Sequence, residues 1–181
     1  MPITIHVPAN SSFDPIRNRF VDTKEATLTF EHSLISISKW ESKWHKPFFS
    51  QLKKTEDENL DYLRCMCLTK DVDPNIFYSL TLSNQKELAD YIANPMTAKK
   101  FRKQEKKGNP EVITSDLIYF WMSHFGIPFI PCEKWHINRL MALIHIASSK
   151  NAPPKKMGKR EAANQRSMLN AQRRAKMNSR G

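Results

Sequence analysis

Apolar positions crowd one stretch of this chain more densely than any other. Residues 113–150, ITSDLIYFWMSHFGIPFIPCEKWHINRLMALIHIASSK, hold two helical runs separated by a Gly-Ile-Pro break. Thr114 and Asp116 open the first run, Gly126 and Pro128 close it, and Pro131 with Glu133 opens the second. Leu117, Ile118, Phe120, Trp121, Met122 and Phe125 cover nearly every side of the first helix. Trp135, Ile137, Leu140, Met141, Leu143, Ile144 and Ile146 do the same in the second. A helix apolar all round is a buried helix, so the pattern predicts a core hairpin around which the remaining elements pack. Neither run reaches the ~18 continuous apolar residues of a membrane span, and no membrane partner is expected.

Upstream, the period shortens. Ile3, Ile5 and Val7 alternate with Thr4 and His6, and Ala26, Leu28 and Phe30 alternate with Thr27 and Thr29. Both are half-buried strands by their period of two, and as a pair they must lie against helices to be stable. Between them, residues 8–14 read as a polar turn or arm, while Ile16 and Phe20 fit one face of a single helical turn.

Four helices follow. Ser33 begins one that Pro47 ends, with Leu34, Ile37, Trp40 and Trp44 on one face. Thr55 and Glu58 form a capping box before a helix that turns Leu60, Leu63, Met66 and Cys67 inward. Asp73 caps a short helix with Pro74 in its first turn, covering Ile76, Phe77 and Leu80. Ser83 caps another with Leu88, Tyr91 and Ile92 buried, ended by Asn94-Pro95, and Thr97 caps a last turn around Phe101. Residues 99–107 (KKFRKQEKK) and the Gly-Asn-Pro after them read as a polar loop.

The fold class is therefore mainly α (α+β): a helical bundle around a C-terminal helical hairpin, with a small N-terminal two-stranded β element and a basic C-terminal extension. Charge sets the domain boundary. Of the net +11, the last 31 residues hold +8, from nine Lys and Arg against Glu161 alone. The expected division is a globular domain over 1–150 and a basic tail over 151–181, flexible or helical on binding, with Asn-Ala-Pro-Pro as punctuation. Cys65, Cys67 and Cys132 are an odd count, which fits a reducing cytosol better than a disulfide framework. The opening MPITIHVPANSSFD has neither the basic start nor the apolar run of a secretory signal.

The search for chemistry returns little. Cys132 and His136 are four apart on a helix, with Cys65 and Cys67 as a second pair, but two cysteines two apart on a helix point to nearly opposite sides. Ordinary core cysteines are the simpler reading. No nucleophile elbow, phosphate-binding glycine loop or His-Glu-x-x-His motif is present. No catalytic residue, metal or cofactor is therefore expected, and the chain reads as a non-enzyme. The tail has the charge to contact phosphates without specificity, yet no aromatic residue to stack on single strands. It equally suits an acidic or helical protein partner.

Several blocks together carry a resemblance. They are residues 31–48 (EHSLISISKWESKWHKPF), 95–99 (PMTAK), 113–122 (ITSDLIYFWM) and 132–143 (CEKWHINRLMAL), with 151–157 and 169–174 of the tail. The set resembles small tailed-bacteriophage proteins of the tail assembly chaperone type, across most of the chain. That resemblance implies a non-enzymatic factor in the cytoplasm of the infected bacterium, binding the tape-measure protein before tail-tube subunits polymerise around it. A basic tail would also suit a virion component at a head–tail or baseplate joint, holding a neighbouring subunit or DNA. The resemblance brings no site residues. From chemistry alone, Trp40, Trp44 and Trp135 are candidate aromatic anchors, and Lys155, Lys156, Arg160, Arg173 and Arg174 are candidate electrostatic contacts.

Overall fold

In the computed structural model, the described residues are 2–14, 19–50, 52–98, 112–151 and 158–177. They are mainly α with a small β part. The chain divides into two compact units, Met1–Ser148 and Ser149–Gly181.

Strand β1 (Ile3–Val7) pairs antiparallel with β4 (Ala26–Phe30), placing Ile3 opposite Phe30 and Ile5 opposite Leu28. Alternation decides which side is buried: Ile5, Val7, Leu28 and Phe30 face the core. The expected polar arm and helical turn between them is instead a second hairpin. β2 (Asn10–Asp14) pairs with β3 (Arg19–Thr23), and Phe20 is opposite Phe13, not on a helix. Ile16 lies outside the described residues.

Helix α1 (Leu34–Trp44) starts at Ser33, whose hydroxyl accepts from the Ser36 N–H while the Ser36 hydroxyl accepts from the Ser33 N–H. It ends at His45 in a left-handed conformation. α1 packs against both α2 (Glu56–Met66) and α4 (Ser115–His124). Its Leu34, Ile37 and Trp40 are at most 1% exposed; at about 1.5–3 kcal/mol for each such side chain, this face is a principal source of stability. The Thr55–Glu58 capping box opens α2. On α2 Met66 is fully buried and Leu60, Leu63 and Cys67 are half-buried against the core, the inward set expected, with Tyr62 added to it. After α2 the chain runs beside β4, with Glu31 N–H donating to the Met66 carbonyl and Leu68 N–H to that of Thr29.

A 3-10 helix (Pro74–Ser79) begins at Asp73 and buries Ile76 and Phe77. α3 (Leu82–Ala93) is capped by Thr81 through Asn84, not by Ser83. Asn84 also donates to the His6 carbonyl, joining α3 to β1. Phe101 and residues 99–107 lie outside the described residues.

α4 is capped by Thr114, as the sequence predicts. It ends at Gly126, whose φ of +65° is the left-handed geometry that favours glycine. The second helix starts later than Glu133. A short α5 (Phe129–Cys132) breaks at Ile130, and α6 (Ile137–Asn151) begins where the Ile137 N–H donates to the His32 carbonyl at 2.8 Å. Nor is α4 buried all round. Ile118 and Met122 are fully buried, but Phe120 is 63% exposed. α7 (Lys159–Met177) belongs to the second unit.

Candidate functional site

The three tryptophans occupy different environments. Trp40 is buried, with its indole N–H donating to the Glu58 carbonyl at 2.8 Å, so it serves the core and presents no surface. Trp44, one turn on, is half-buried and stacks on Trp40 at 6.4 Å. Its N–H donates to Asp61 at 3.0 Å. Lys43 pairs with Asp61 and Lys46 with Glu58, and both ammonium groups lie 5.9 Å from the Trp44 ring centre. The Lys46 hydrogen bond, then the Thr55 backbone N–H, hold the Glu58 carboxyl below its usual range. Trp135 is half-buried, with the Arg139 guanidinium 4.5 Å from its ring centre. Trp44 and Trp135 are therefore part-exposed rings beneath cations, and Trp40 is a packing residue.

Sequence reasoning missed a buried polar cluster of His32, Tyr62, Tyr91 and His136. His32 meets Tyr62 through Nδ1 and the phenol oxygen, and its backbone N–H donates to the Tyr91 hydroxyl. His136 Nε2 sits 3.0 Å from the Tyr91 carbonyl, which only accepts, so Nε2 carries the proton. Its Nδ1 then accepts the Asn138 N–H at 3.2 Å. Burial lowers both histidines, His32 to about 3, and raises Tyr62. The cluster is thus uncharged at neutral pH. Both His136 nitrogens are engaged within the protein, leaving no lone pair for the metal site weighed with Cys132. Among the described residues no group of three His, Cys, Asp or Glu side chains is arranged around a common ion. The only legible signal had been His136 itself, an imidazole among apolar residues.

A half-open pocket of about 340 Å³ lies beside α1, lined among others by Glu31, Ser36, Lys39, Cys65 and Lys134. Burial and then the Asp61 carboxylate push the Cys65 thiol up, away from the reactive thiolate. Ser36 Oγ donates to the Ser33 carbonyl and lies 3.5 Å from the Tyr62 hydroxyl.

The outward side of α4 is different in kind. Leu117, Phe120 and His124 follow one another at spacings of three and four, the repeat of a single helix face. The Phe120 and His124 rings stack at 6.2 Å. Tyr119 and Phe129 meet edge-on at 5.5 Å, linking α4 to α5, where Ile130 is 74% exposed. The sequence held the signal, an α4 too apolar for one buried stripe, but burial accounts for only half of it.

In the second unit, Arg160, Arg173 and Arg174 are exposed on α7, together with Arg166 and Lys176. Lys155 and Lys156 lie outside the described residues. No helix among the described residues is long and apolar enough to cross a membrane. No protein-family model matches the chain, and no curated protein or solved structure does.

Proposed function

We propose that the chain is a non-enzymatic assembly factor that binds a helical protein through the outward face of α4 and the adjoining Phe129 and Ile130. The observation that carries this reading is Phe120 standing 63% exposed on a helix whose other face fills the core, with Ile130 74% exposed on α5, the element that Phe129 joins to α4 through Tyr119. Exposed apolar side chains grouped on neighbouring elements of a packed domain suit a protein-binding surface. Phe120 is aromatic, the residue class enriched at such contacts. The resemblance to tail assembly chaperones supplies the partner: a tape-measure protein, whose long helices expose apolar stripes before the tail tube encloses them.

The test is co-expression of the full chain with the phage tape-measure protein, followed by affinity capture. The wild-type chain is expected to hold the tape measure soluble, and a Phe120→Ser, Ile130→Ser double variant with an unchanged melting temperature is expected to lose it. No complex with the wild-type chain, or undiminished capture by the double variant, would overturn the reading. So would stoichiometric recovery of the chain from purified particles, since an assembly chaperone leaves.

A further inference from the structure

The basic unit has a geometry that the proposed chaperone role does not require. A run of exposed residues from 163 to 177 is unremarkable on a solvated helix, but three of the arginines of α7 share one side, with Arg160 and Lys176 flanking it. At 3.6 residues per turn, Arg166, Arg173 and Arg174 fall within an arc of about 100°. Asn170 sits at its centre, four residues after Arg166, three before Arg173 and four before Arg174. Met168, Ala171 and Ala175 lie on the far side. None of the three arginines, nor Lys176, has a carboxylate three or four residues away, so no helix-face ion pair at that spacing neutralises these four charges. Like charges so close oppose one another, a repulsion that a polyanion would relieve.

We infer that this face of α7 is a site for duplex DNA, with Arg166, Arg173 and Arg174 contacting backbone phosphates. Three features select this ligand. The segment from 151 to 181 contains no Phe, Tyr or Trp, so it lacks the stacking platform that holds single strands. An α-helix with its side chains is about 10–12 Å across, matching the B-form major groove of about 12 Å, whereas the A-form RNA groove is too narrow to admit it. The 19 residues of α7 extend over roughly 28 Å, enough for Arg166 and the Arg173–Arg174 pair, about two turns on, to reach separate phosphates. The inference stands on charge placement in the second unit and is independent of the α4 surface.

Fluorescence anisotropy of a labelled DNA duplex, titrated with the full chain across a series of KCl concentrations, tests it. Binding is expected to weaken steeply with salt, with a log–log slope of about −4 if four to five phosphates are neutralised. The Arg166→Gln, Arg173→Gln, Arg174→Gln variant is expected to bind about tenfold or more weakly, with a slope shallower by about 0.9 for each arginine removed. The matching triple Arg→Lys variant keeps the charge and is expected to keep the slope. Circular dichroism of each variant reports that the helices persist. The inference is overturned by absence of duplex binding at low salt, by a Gln variant with wild-type affinity and slope, or by tighter binding to a single strand or to duplex RNA. Loss of binding in the Lys variant with its helices intact also overturns it.

Discussion

The rings of His32 and His136 meet edge-on inside the core, with centroids 4.9 Å apart. One residue precedes α1 and the other precedes α6, and neither is more than 3% exposed. Burial disfavours the charged form of both, and His136 adds to the effect on His32.

The consequence is a pH dependence of known sign. In the unfolded chain each imidazole takes up a proton near pH 6.5, whereas folded His32 resists protonation down to about 3. Between those values the unfolded state binds more protons, so stability is complete above about pH 6.5 and is lost as pH falls. His32 alone removes about 2 kcal/mol between pH 6.5 and 5, at 1.36 kcal/mol per unit. Urea denaturation at both pH values is the check, with a shallower dependence expected for His32→Gln. An unchanged wild-type midpoint would contradict the buried, neutral pair.

Glu41 ties α1 to two other segments at once. Its carboxylate accepts from the Phe48 N–H at 2.7 Å and from the Ser115 N–H at 2.8 Å, and also from the Ser115 hydroxyl. α1 thereby fixes both the chain that follows it and the first turn of α4. Glu41→Ala strands these donors and is expected to cost about 3 kcal/mol, given 1–3 kcal/mol for each buried donor left unpaired. Equilibrium unfolding measures it; a loss under 1 kcal/mol would mean that water replaces the carboxylate.

Trp40 and Trp44 separate in the same way. Trp40→Phe removes the partner of the Glu58 carbonyl and opens a void, for an expected loss of about 2–3 kcal/mol. Trp44→Phe, at the half-buried position, is expected to cost about 1 kcal/mol. Iodide quenching gives an independent reading: Trp40 emission is expected to be shielded, and equal quenching of the two would place both at the surface.

On α4, Met122→Ala is expected to cost about 2–5 kcal/mol through an unfilled cavity. Phe120→Ser, two residues earlier, is expected to change stability by no more than about 0.5 kcal/mol. Paired thermal melts decide it, and a large effect at Phe120 would mean that this ring packs in the core.

The strands β1 and β4 were legible because Ile5, Val7, Leu28 and Phe30 alternate cleanly with polar residues. The Ser33, Thr55, Asp73 and Thr114 caps were legible for a similar reason, since their chemistry is local. Hairpin β2–β3 was not. Residues 10–14 are largely polar, and Thr23 is held by contacts distant in sequence, its hydroxyl meeting Ser79 at 2.8 Å. The start of α6 was misplaced because Pro131 and Glu133 carry an opening signal, whereas the helix begins where His32 offers a carbonyl. Among the candidate contacts Trp40 lies in the core, the side on which its spacing with Leu34, Ile37 and Trp44 already placed it, whereas the enrichment of tryptophan at interfaces says nothing of which way a given ring faces. The His32–Tyr62–Tyr91–His136 cluster draws on four separate elements or their flanks, so no local pattern announced it.

The hydrogen bond from the Ile137 N–H to the His32 carbonyl also sets an order of events during synthesis. Its two ends are separated by roughly a hundred residues, a closure whose entropy must be met before the contact gives anything back. As the chain leaves the ribosome, β1, β4 and α1 emerge long before residue 137 does. Until then the His32 carbonyl lacks its partner at the start of α6. The body therefore completes itself late, once α6 has been made.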